Sequence, residues 1–265
     1  MTAAAQLELE PVRFSGLKAM ALSPAHYRAA VERDGQEKQR GRALHSIILG
    51  GKRVVGYPGK VRRGKEFEAF ANDNHDAEIL TMADYERAAG MAAAVRACPR
   101  AMDMLVGRHE MEIDWTFLGR RCQSHVDVVG PAGEYVTELK STVSSHPDRF
   151  AWQSRRMAYH AQLAFYAEAV LQAGLGVPRD LYVVAVESRP PYVVTCMRLA
   201  PRALEEGRKC VRLWMERLLG CEASGEWPGY VGDIVPLDVP DDDLELTFGG
   251  GDGPDFDPET GEVAA

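Results

Sequence analysis

The chain has 265 residues, of which 46% are hydrophobic and 26% are charged, and its formal net charge is −8 at pH 7. This length and composition allow a full hydrophobic core, in one large domain or one domain with appendages. The composition excludes a membrane-spanning segment, and the N-terminal sequence MTAAAQLELEPVRF lacks a signal-peptide pattern. Five widely spaced cysteines with no C-x-x-C pair exclude a zinc or disulfide framework, and they predict a reduced, cytoplasmic protein.

Acidic charge is concentrated at the C-terminal end. Residues 233–265 hold eleven Asp or Glu and no Lys or Arg, which leaves residues 1–232 with 31 basic and 28 acidic groups. The terminal stretch is rich in Gly, Pro and Asp and has too few apolar residues to fold alone. We therefore predict a domain at 1–232 and an acidic, disordered tail at 233–265. The overall negative charge does not exclude a nucleic-acid partner, because local positive charge is what meets a phosphate backbone.

The N-terminal part is predicted to be helical. Residues 14–33 indicate two short helices, in which Ser15 is either an N-cap or a contact to a phosphate. Residues 39–51 predict a helix that ends at a Gly-Gly pair. His45 lies beside the apolar face of this helix, where a histidine is more often a packed core residue than a ligand.

Residues 52–65, KRVVGYPGKVRRGK, form the most basic run, with six Lys or Arg. We interpret the run as a loop that is either simply solvated or in contact with DNA phosphates. The side chains expected to make such contacts are Arg62, Arg63 and Lys65. Residues 67–105 then predict a mostly helical segment.

Two strands joined by a glycine turn are predicted within residues 110–129. Strand alternation places Asp127 on the same face as His125. Glu110 or Glu112 could supply a further acidic group on the first of these strands, although a glutamate at the surface of a strand is the more ordinary interpretation.

Residues 126–140, VDVVGPAGEYVTELK, predict two strands joined by a turn. Alternation puts Glu138 and Lys140 on one face, and pairing of the strands brings Asp127 beside Glu138. Paired carboxylates suit Mg²⁺ or Mn²⁺, and a nearby lysine can orient or deprotonate a water molecule. The alternative interpretation is an exposed hairpin with a solvated, charged face.

Residues 149–173 predict one long helix. Tyr159, Gln162 and Tyr166 recur on it at three- and four-residue spacing and share one face. A glutamine and two tyrosine hydroxyls are unusual on a face that only packs against a core. Three arginines in the first part of the helix could reach a DNA backbone: Arg149, Arg155 and Arg156.

Residues 181–187 and 192–199 predict two nearly continuous apolar strands, as in the centre of a sheet, and residues 201–223 predict a closing helix. Together these elements predict an α/β fold in which helices flank a central mixed β-sheet, with a helical N-terminal part.

Four motifs in this order resemble the PD-(D/E)xK nuclease superfamily: Gly41-xxx-His45, Asp127, Glu138-Leu139-Lys140 and Gln162-xxx-Tyr166. The set is most similar to the RecE (exonuclease VIII)-like branch, which is related to lambda exonuclease and to the RecB nuclease domain. The resemblance covers roughly residues 14–230 and implies a restriction-endonuclease-like core.

The resemblance also implies roles for these residues. It implies four ligands for Mg²⁺ or Mn²⁺: His45, Asp127, Glu138 and the Leu139 carbonyl. Lys140 would orient or activate the attacking water, while Gln162 and Tyr166 would support Lys140 and the DNA strand. The residues implied to contact the nucleic acid are those already named in the basic run and the helices: Ser15, Arg62, Arg63, Lys65, Arg155 and Arg156.

The function implied by the resemblance is a metal-dependent exonuclease that degrades double-stranded DNA ends in phage-type recombination. Relatives form homo-oligomeric rings around DNA and pair with a single-strand annealing protein. The alternatives are a structure-specific or sequence-specific endonuclease on the same fold, and a DNA-binding module without catalysis. The presence of Asp127, Glu138 and Lys140 disfavours the idle module, and the absence of a compact cysteine trio disfavours an iron–sulfur relative.

Overall fold

The structure is a computed structural model, and it describes residues 10–33, 39–232 and 234–236. Almost all of the acidic tail predicted at 233–265 lies outside the described residues, so the tail and the boundary at residue 232 stay predictions. Within the described part, no helix is both long and apolar enough to cross a membrane.

The N-terminal part is helical, as predicted, with one short strand before the helices. Ser15 lies inside the first helix, which begins after Arg13, so its prediction as an N-cap is wrong. The third helix ends where predicted, because Gly50 adopts φ 84°, a left-handed conformation that glycine accepts without strain. The elements are β1 (Val12–Arg13), α1 (Phe14–Leu17), a 3₁₀ turn (Lys18–Ala21), α2 (Pro24–Arg33) and α3 (Gln39–Leu49).

Residues 52–105 were predicted to form a basic loop and a mostly helical segment, but the structure has two strands there as well as helices. Two short parallel strands pair with each other as a separate sheet, and a helix connects them. The apolar runs VVGY and EILT are only partly buried, and their flanking charges hid them as strands in the sequence. Only residues 58–64 of the basic run form a loop. The elements are β2 (Arg53–Tyr57), α4 (Lys65–Asp73), β3 (Ala77–Thr81), α5 (Met82–Arg96) and α6 (Pro99–Met104).

The central sheet is mixed, and helices cover both of its faces, which confirms the predicted fold class. β1 runs parallel to β5, β6 runs parallel to β7, and the other pairs are antiparallel. Alternate residues of the long strands enter two separate cores, one against α3, α5 and α6 and the other against the C-terminal helices. The strands are β4 (Arg108–Phe117), β5 (Arg120–Val129), β6 (Tyr135–Thr142), β7 (Asp180–Glu187) and β8 (Val194–Arg198).

The single helix predicted at 149–173 is wrong, because the structure has two helices there. α7 (Pro147–Met157) and α8 (Tyr159–Gln172) meet at Ala158, whose φ of 56° is left-handed. This conformation costs a non-glycine residue roughly 1–2 kcal/mol, so packing of the flanking helices must stabilise it. No Gly or Pro marks the break in the sequence. The last helix, α9 (Pro201–Ser224), packs on α8 and closes the domain as predicted.

Two glycines of α9 provide a matched test of how closely α9 and α8 pack. A Cβ on Gly207 would overlap the His160 carbonyl of α8, whereas a Cβ on Gly220 would meet nothing within 4 Å. We expect Gly207→Ala to lower the free energy of unfolding by about 1–3 kcal/mol through overpacking. Gly220→Ala should raise it by about 0.5–1 kcal/mol through helix propensity. Urea denaturation of both variants checks this; equal changes in the two would contradict the close contact.

Candidate active site

The candidate site lies where β5 and β6 diverge. Their backbone pairing ends at Val128 and Thr137, and the next residue of each strand away from the turn is Asp127 or Glu138. Beyond that point the Asp127 carboxylate accepts a hydrogen bond of 2.8 Å from the Leu139 backbone N–H. The side chain thus satisfies a donor that the partner strand no longer reaches, and it fixes the position of the carboxylate. Asp127 and Glu138 are 5% and 2% exposed, so both acidic groups are buried.

Lys140 lies beside Glu138, as strand alternation predicted. Its ammonium donates a hydrogen bond of 2.6 Å to Glu138 Oε2 and lies 5.2 Å from the centre of the Tyr159 ring. Burial lowers the pKa of Lys140, but the charges of Glu138 and Asp127 outweigh this effect and hold the pKa above its usual range. Lys140 is therefore a fixed cation at the base of the site.

His45 reaches the same place from α3, so it is not an ordinary core histidine. Its Nε2–H donates a hydrogen bond of 2.8 Å to the Leu139 carbonyl, and its Nδ1 lies 3.3 Å from Asp127 Oδ1. Burial lowers the pKa of His45, but the charge of Asp127 and the nearby carboxylates of Asp127 and Glu110 raise it to about 10. The negative charge that holds a proton on His45 would also attract a metal ion.

Glu110 is a member of this cluster; the sequence offered Glu110 or Glu112 as a further acidic group but favoured a surface position for both. The β4–β5 register places it opposite Asp127. One oxygen lies 3.6 Å from His45 Nδ1, and the other lies 3.2 Å from His125 Nε2. The backbone of Glu110 has φ 50°, which is unusual in a strand. The register of the hairpin was the signal that could have identified it, because opposite residues on one face are neighbours.

The acidic groups have the chemistry of a divalent-cation site. Ligand atoms of His45, Glu110 and Asp127 lie within 4.8 Å of one another. In the described part of the chain, three buried side-chain atoms lack a hydrogen-bond partner, and two of them are Oε1 of Glu110 and Oε1 of Glu138. Unpartnered buried carboxylate oxygens are costly, and a cation would satisfy them. Burial, and after it the charge of Asp127, raises the pKa of Glu138 to about 7.

Gln162 and Tyr166 of α8 also line the cleft, together with Tyr159. The Gln162 side-chain amide donates a hydrogen bond of 3.0 Å to the Tyr166 hydroxyl. Burial and the charge of Glu138 raise the pKa of Tyr166 above its usual range, so its hydroxyl keeps its proton. The break at Ala158 starts α8 at Tyr159, which places the first turn of α8 beside Lys140.

An open cleft of about 1490 Å³ surrounds these residues. Of the residues predicted to contact nucleic acid, Ser15 and Arg62 line this cleft, and the Arg62 guanidinium donates a hydrogen bond of 2.9 Å to the Ile79 carbonyl. The other four are exposed and outside the cleft lining: Arg63, Lys65, Arg155 and Arg156. Lys18 and Lys52 add further positive charge to the lining.

A mixed sheet flanked by helices, with Asp127 and a Glu-x-Lys triplet where two strands diverge, defines the PD-(D/E)xK class of nuclease folds. Comparison with known proteins agrees. Residues 13–237 match the family described as "PDDEXK-like domain of unknown function (DUF3799)", and the chain belongs to this family. The predicted resemblance to the superfamily is thereby confirmed.

One solved structure shares the fold. The crystal structure of a candidate exonuclease from Eubacterium rectale aligns with a TM-score of 0.61 and 17% identity, over 94% of this chain and 96% of that chain. A phage-related exonuclease from Haemophilus somnus 129PT aligns with a TM-score of 0.40 and 10% identity, over 84% of this chain and 100% of that chain. No curated protein matches the sequence significantly.

Proposed function

We propose that the protein is a metal-dependent deoxyribonuclease that hydrolyses phosphodiester bonds from the ends of double-stranded DNA. The observation that carries the proposal is the joint placement of Asp127, Glu138, Lys140 and His45 at one point of a PD-(D/E)xK fold. The resemblance of the motifs to the RecE-like branch supports an exonuclease, and so does the shared fold with a candidate exonuclease.

The proposed ligands of Mg²⁺ or Mn²⁺ are His45, Asp127, Glu138 and the Leu139 carbonyl, with Glu110 beside them. A bound divalent cation would neutralise phosphate charge and supply a reactive water at neutral pH. The orphaned oxygen of Glu138 and the close approach of His45 to the Leu139 carbonyl support this ligand set. Binding of the ion would displace a proton from His45, because a histidine ligand is neutral, and neutral imidazole beside carboxylates is compatible with either metal.

Lys140 is the proposed donor to the reacting phosphate. A water oxygen would attack the phosphorus and lose a proton to solvent, the bond from phosphorus to the leaving sugar oxygen would break, and that oxygen would take a proton from solvent. The Lys140 ammonium, held by Glu138, would donate to the water and to the non-bridging oxygen on which charge grows. Gln162 and Tyr166 would hold the DNA strand against Lys140.

One serine and five basic residues in and near the cleft are proposed to bind the DNA backbone: Ser15, Arg62, Arg63, Lys65, Arg155 and Arg156. We further propose a cytoplasmic role in phage-type recombination, with a homo-oligomeric ring and a single-strand annealing protein as partners. The resemblance supports these roles, and the five free cysteines support a reducing compartment. The proposed domain ends near residue 232, after Trp227 has stacked on Tyr27.

A cleavage assay tests this proposal. Linear and covalently closed circular duplex DNA are each incubated with the protein in Mg²⁺, Mn²⁺ or EDTA. We expect metal-dependent loss of the linear DNA alone, and 5′ and 3′ labels would report its polarity. Cutting of the closed circle would replace the exonuclease with an endonuclease. Binding of DNA without cleavage in any metal would replace the enzyme with a DNA-binding module.

Glu110 makes a separate prediction about the metal site. Glu110→Gln removes a charge next to His45 and Asp127, and we expect it to weaken Mn²⁺ binding by about 10–100-fold, as loss of an outer-shell partner does. Glu112→Gln is the matched control, because Glu112 lies two residues along the same strand but outside the cluster. Isothermal titration with Mn²⁺ measures both. Equal affinities for the two variants would remove Glu110 from the site.

A further inference from the structure

We infer that an exposed face of α7 binds a single strand of DNA beside the cleft, with an unpaired base stacked on Trp152. This inference rests on the proposed function, since it places a nucleic acid in the cleft. The indole of Trp152 is 68% exposed, unlike Trp115 and Trp214, which are buried in the core. Exposure of a single apolar side chain is common, so the inference depends on the charged residues and the cleft that lie beside Trp152.

Trp152 lies in a stripe with two arginines. Arg149, Trp152 and Arg156 are all exposed, and their spacing of three and four residues puts them on one face of α7. This stripe, called here the Trp152 face, lies opposite Phe150, the residue through which α7 enters the core. The face is therefore accessible along about two turns of helix.

The Trp152 face adjoins the candidate active site. Gln153 accepts a hydrogen bond of 2.6 Å from the Thr142 hydroxyl, two residues after Lys140 on β6. Met157, four residues after Gln153 on the same side of α7, lines the cleft. A strand that leaves the cleft past Met157 would therefore meet Trp152 and its flanking arginines.

The chemistry of the face favours a nucleic-acid strand. The sequence of α7, PDRFAWQSRRM, has three arginines and one acidic residue, Asp148, which lies in the first turn where it complements the helix dipole. Arginines track a phosphate backbone, and an exposed indole stacks on a base of any sequence. Bases inside a duplex are already stacked, so Trp152 requires an unpaired base. The occupant is thus a single strand.

Binding of oligo-dT in EDTA, where cleavage is blocked, tests the inference. We expect oligo-dT to quench the fluorescence of the wild-type protein, and Trp152→Ala to bind it about 5- to 100-fold more weakly. Trp152→Phe should recover most of the affinity, because it keeps an aromatic face. Leu213→Ala, a substitution of another exposed apolar residue on α9, should bind as the wild type does.

The arginines give an independent readout. The slope of log affinity against log salt is negative. Arg149→Ala or Arg156→Ala should each make it less steep by about 0.7, the value for one phosphate contact on a single strand. Arg208→Ala, an exposed arginine of α9, should leave the slope unchanged.

Wild-type affinity for oligo-dT in Trp152→Ala would overturn the inference, and so would quenching that persists in this variant. A larger loss of affinity in Trp152→Ala for closed duplex DNA than for oligo-dT would also overturn the inference. This test is independent of the nuclease proposal. Binding that depends on Trp152, without any cleavage in metal, would support the Trp152 face and contradict the proposed nuclease activity. Cleavage, together with binding that does not depend on Trp152, would support the nuclease activity and contradict the Trp152 face.

Discussion

Lys140→Ala is expected to lower the rate of DNA cleavage by about 10²–10³-fold, the loss typical of removing one donor to a developing oxyanion. The reason is that its ammonium is the cation fixed beside the paired carboxylates, 2.6 Å from Glu138. Affinity for DNA should change little, because most of that affinity comes from exposed basic groups. Single-turnover cleavage and fluorescence anisotropy measure the two quantities separately.

The control for Lys140→Ala is Lys52→Ala. Lys52 also lines the cleft, so the two variants lose the same charge from the same cavity. Lys52→Ala should weaken binding slightly and leave the single-turnover rate near that of the wild type. A rate in Lys140→Ala within about threefold of the wild type would show that Lys140 has no part in the chemistry.

Asp127→Asn is expected to weaken Mn²⁺ binding by more than about 100-fold, beyond the loss typical of an outer-shell partner. Asparagine can still accept the hydrogen bond from the Leu139 backbone N–H, so the strands should keep their geometry while one negative charge is lost. The charges of Glu110 and Glu138 alone would then have to hold the cation.

Thermal and chemical unfolding with and without Mn²⁺ measures this effect. At Mn²⁺ about 100-fold above its dissociation constant, the wild type should gain about 2.7 kcal/mol of stability, and Asp127→Asn less than about 0.4 kcal/mol. The control is Asp114→Asn, an exposed aspartate on β4 that accepts a hydrogen bond from Gln123. Equal stabilisation of Asp127→Asn and the wild type would remove Asp127 from the ligands.

Strand alternation and motif order were enough to predict the centre of the molecule. The period-two pattern of β6 correctly put Glu138 and Lys140 on one face of the sheet. It placed Leu139 on the other face, where Leu139 packs in the core against α3 and α5. The sequence also predicted the helix that carries His45, although His45 alone was ambiguous. The motif resemblance implied a ligand role for His45, and the structure adds its contact with the Leu139 carbonyl, 94 residues away in sequence.

The errors have physical reasons. β2 and β3 are short, half-buried strands that are stabilised by pairing with each other, and this long-range contact leaves no alternation to detect. The break at Ala158 depends on tertiary packing, since alanine favours a continuous helix. Glu110 was underrated because a single strand pattern cannot tell a solvated glutamate from one that faces Asp127 across the sheet.

Burial of the acidic cluster costs the fold stability, and the proposed metal site would account for that cost. Asp127 and Glu138 are almost fully buried on adjacent strands, where they repel each other and are only partly compensated by His45 and Lys140. A fold selected only for stability would have apolar residues at these positions.

The most direct test of the account is a crystal of the protein soaked in Mn²⁺, with the ion located by its anomalous scattering. We expect one strong peak in the cleft, within about 2.0–2.3 Å of oxygens of Asp127 and Glu138 and of a nitrogen of His45, close to the Leu139 carbonyl. A peak held by other residues, or a cleft without a peak at saturating Mn²⁺, would contradict the proposed metal centre.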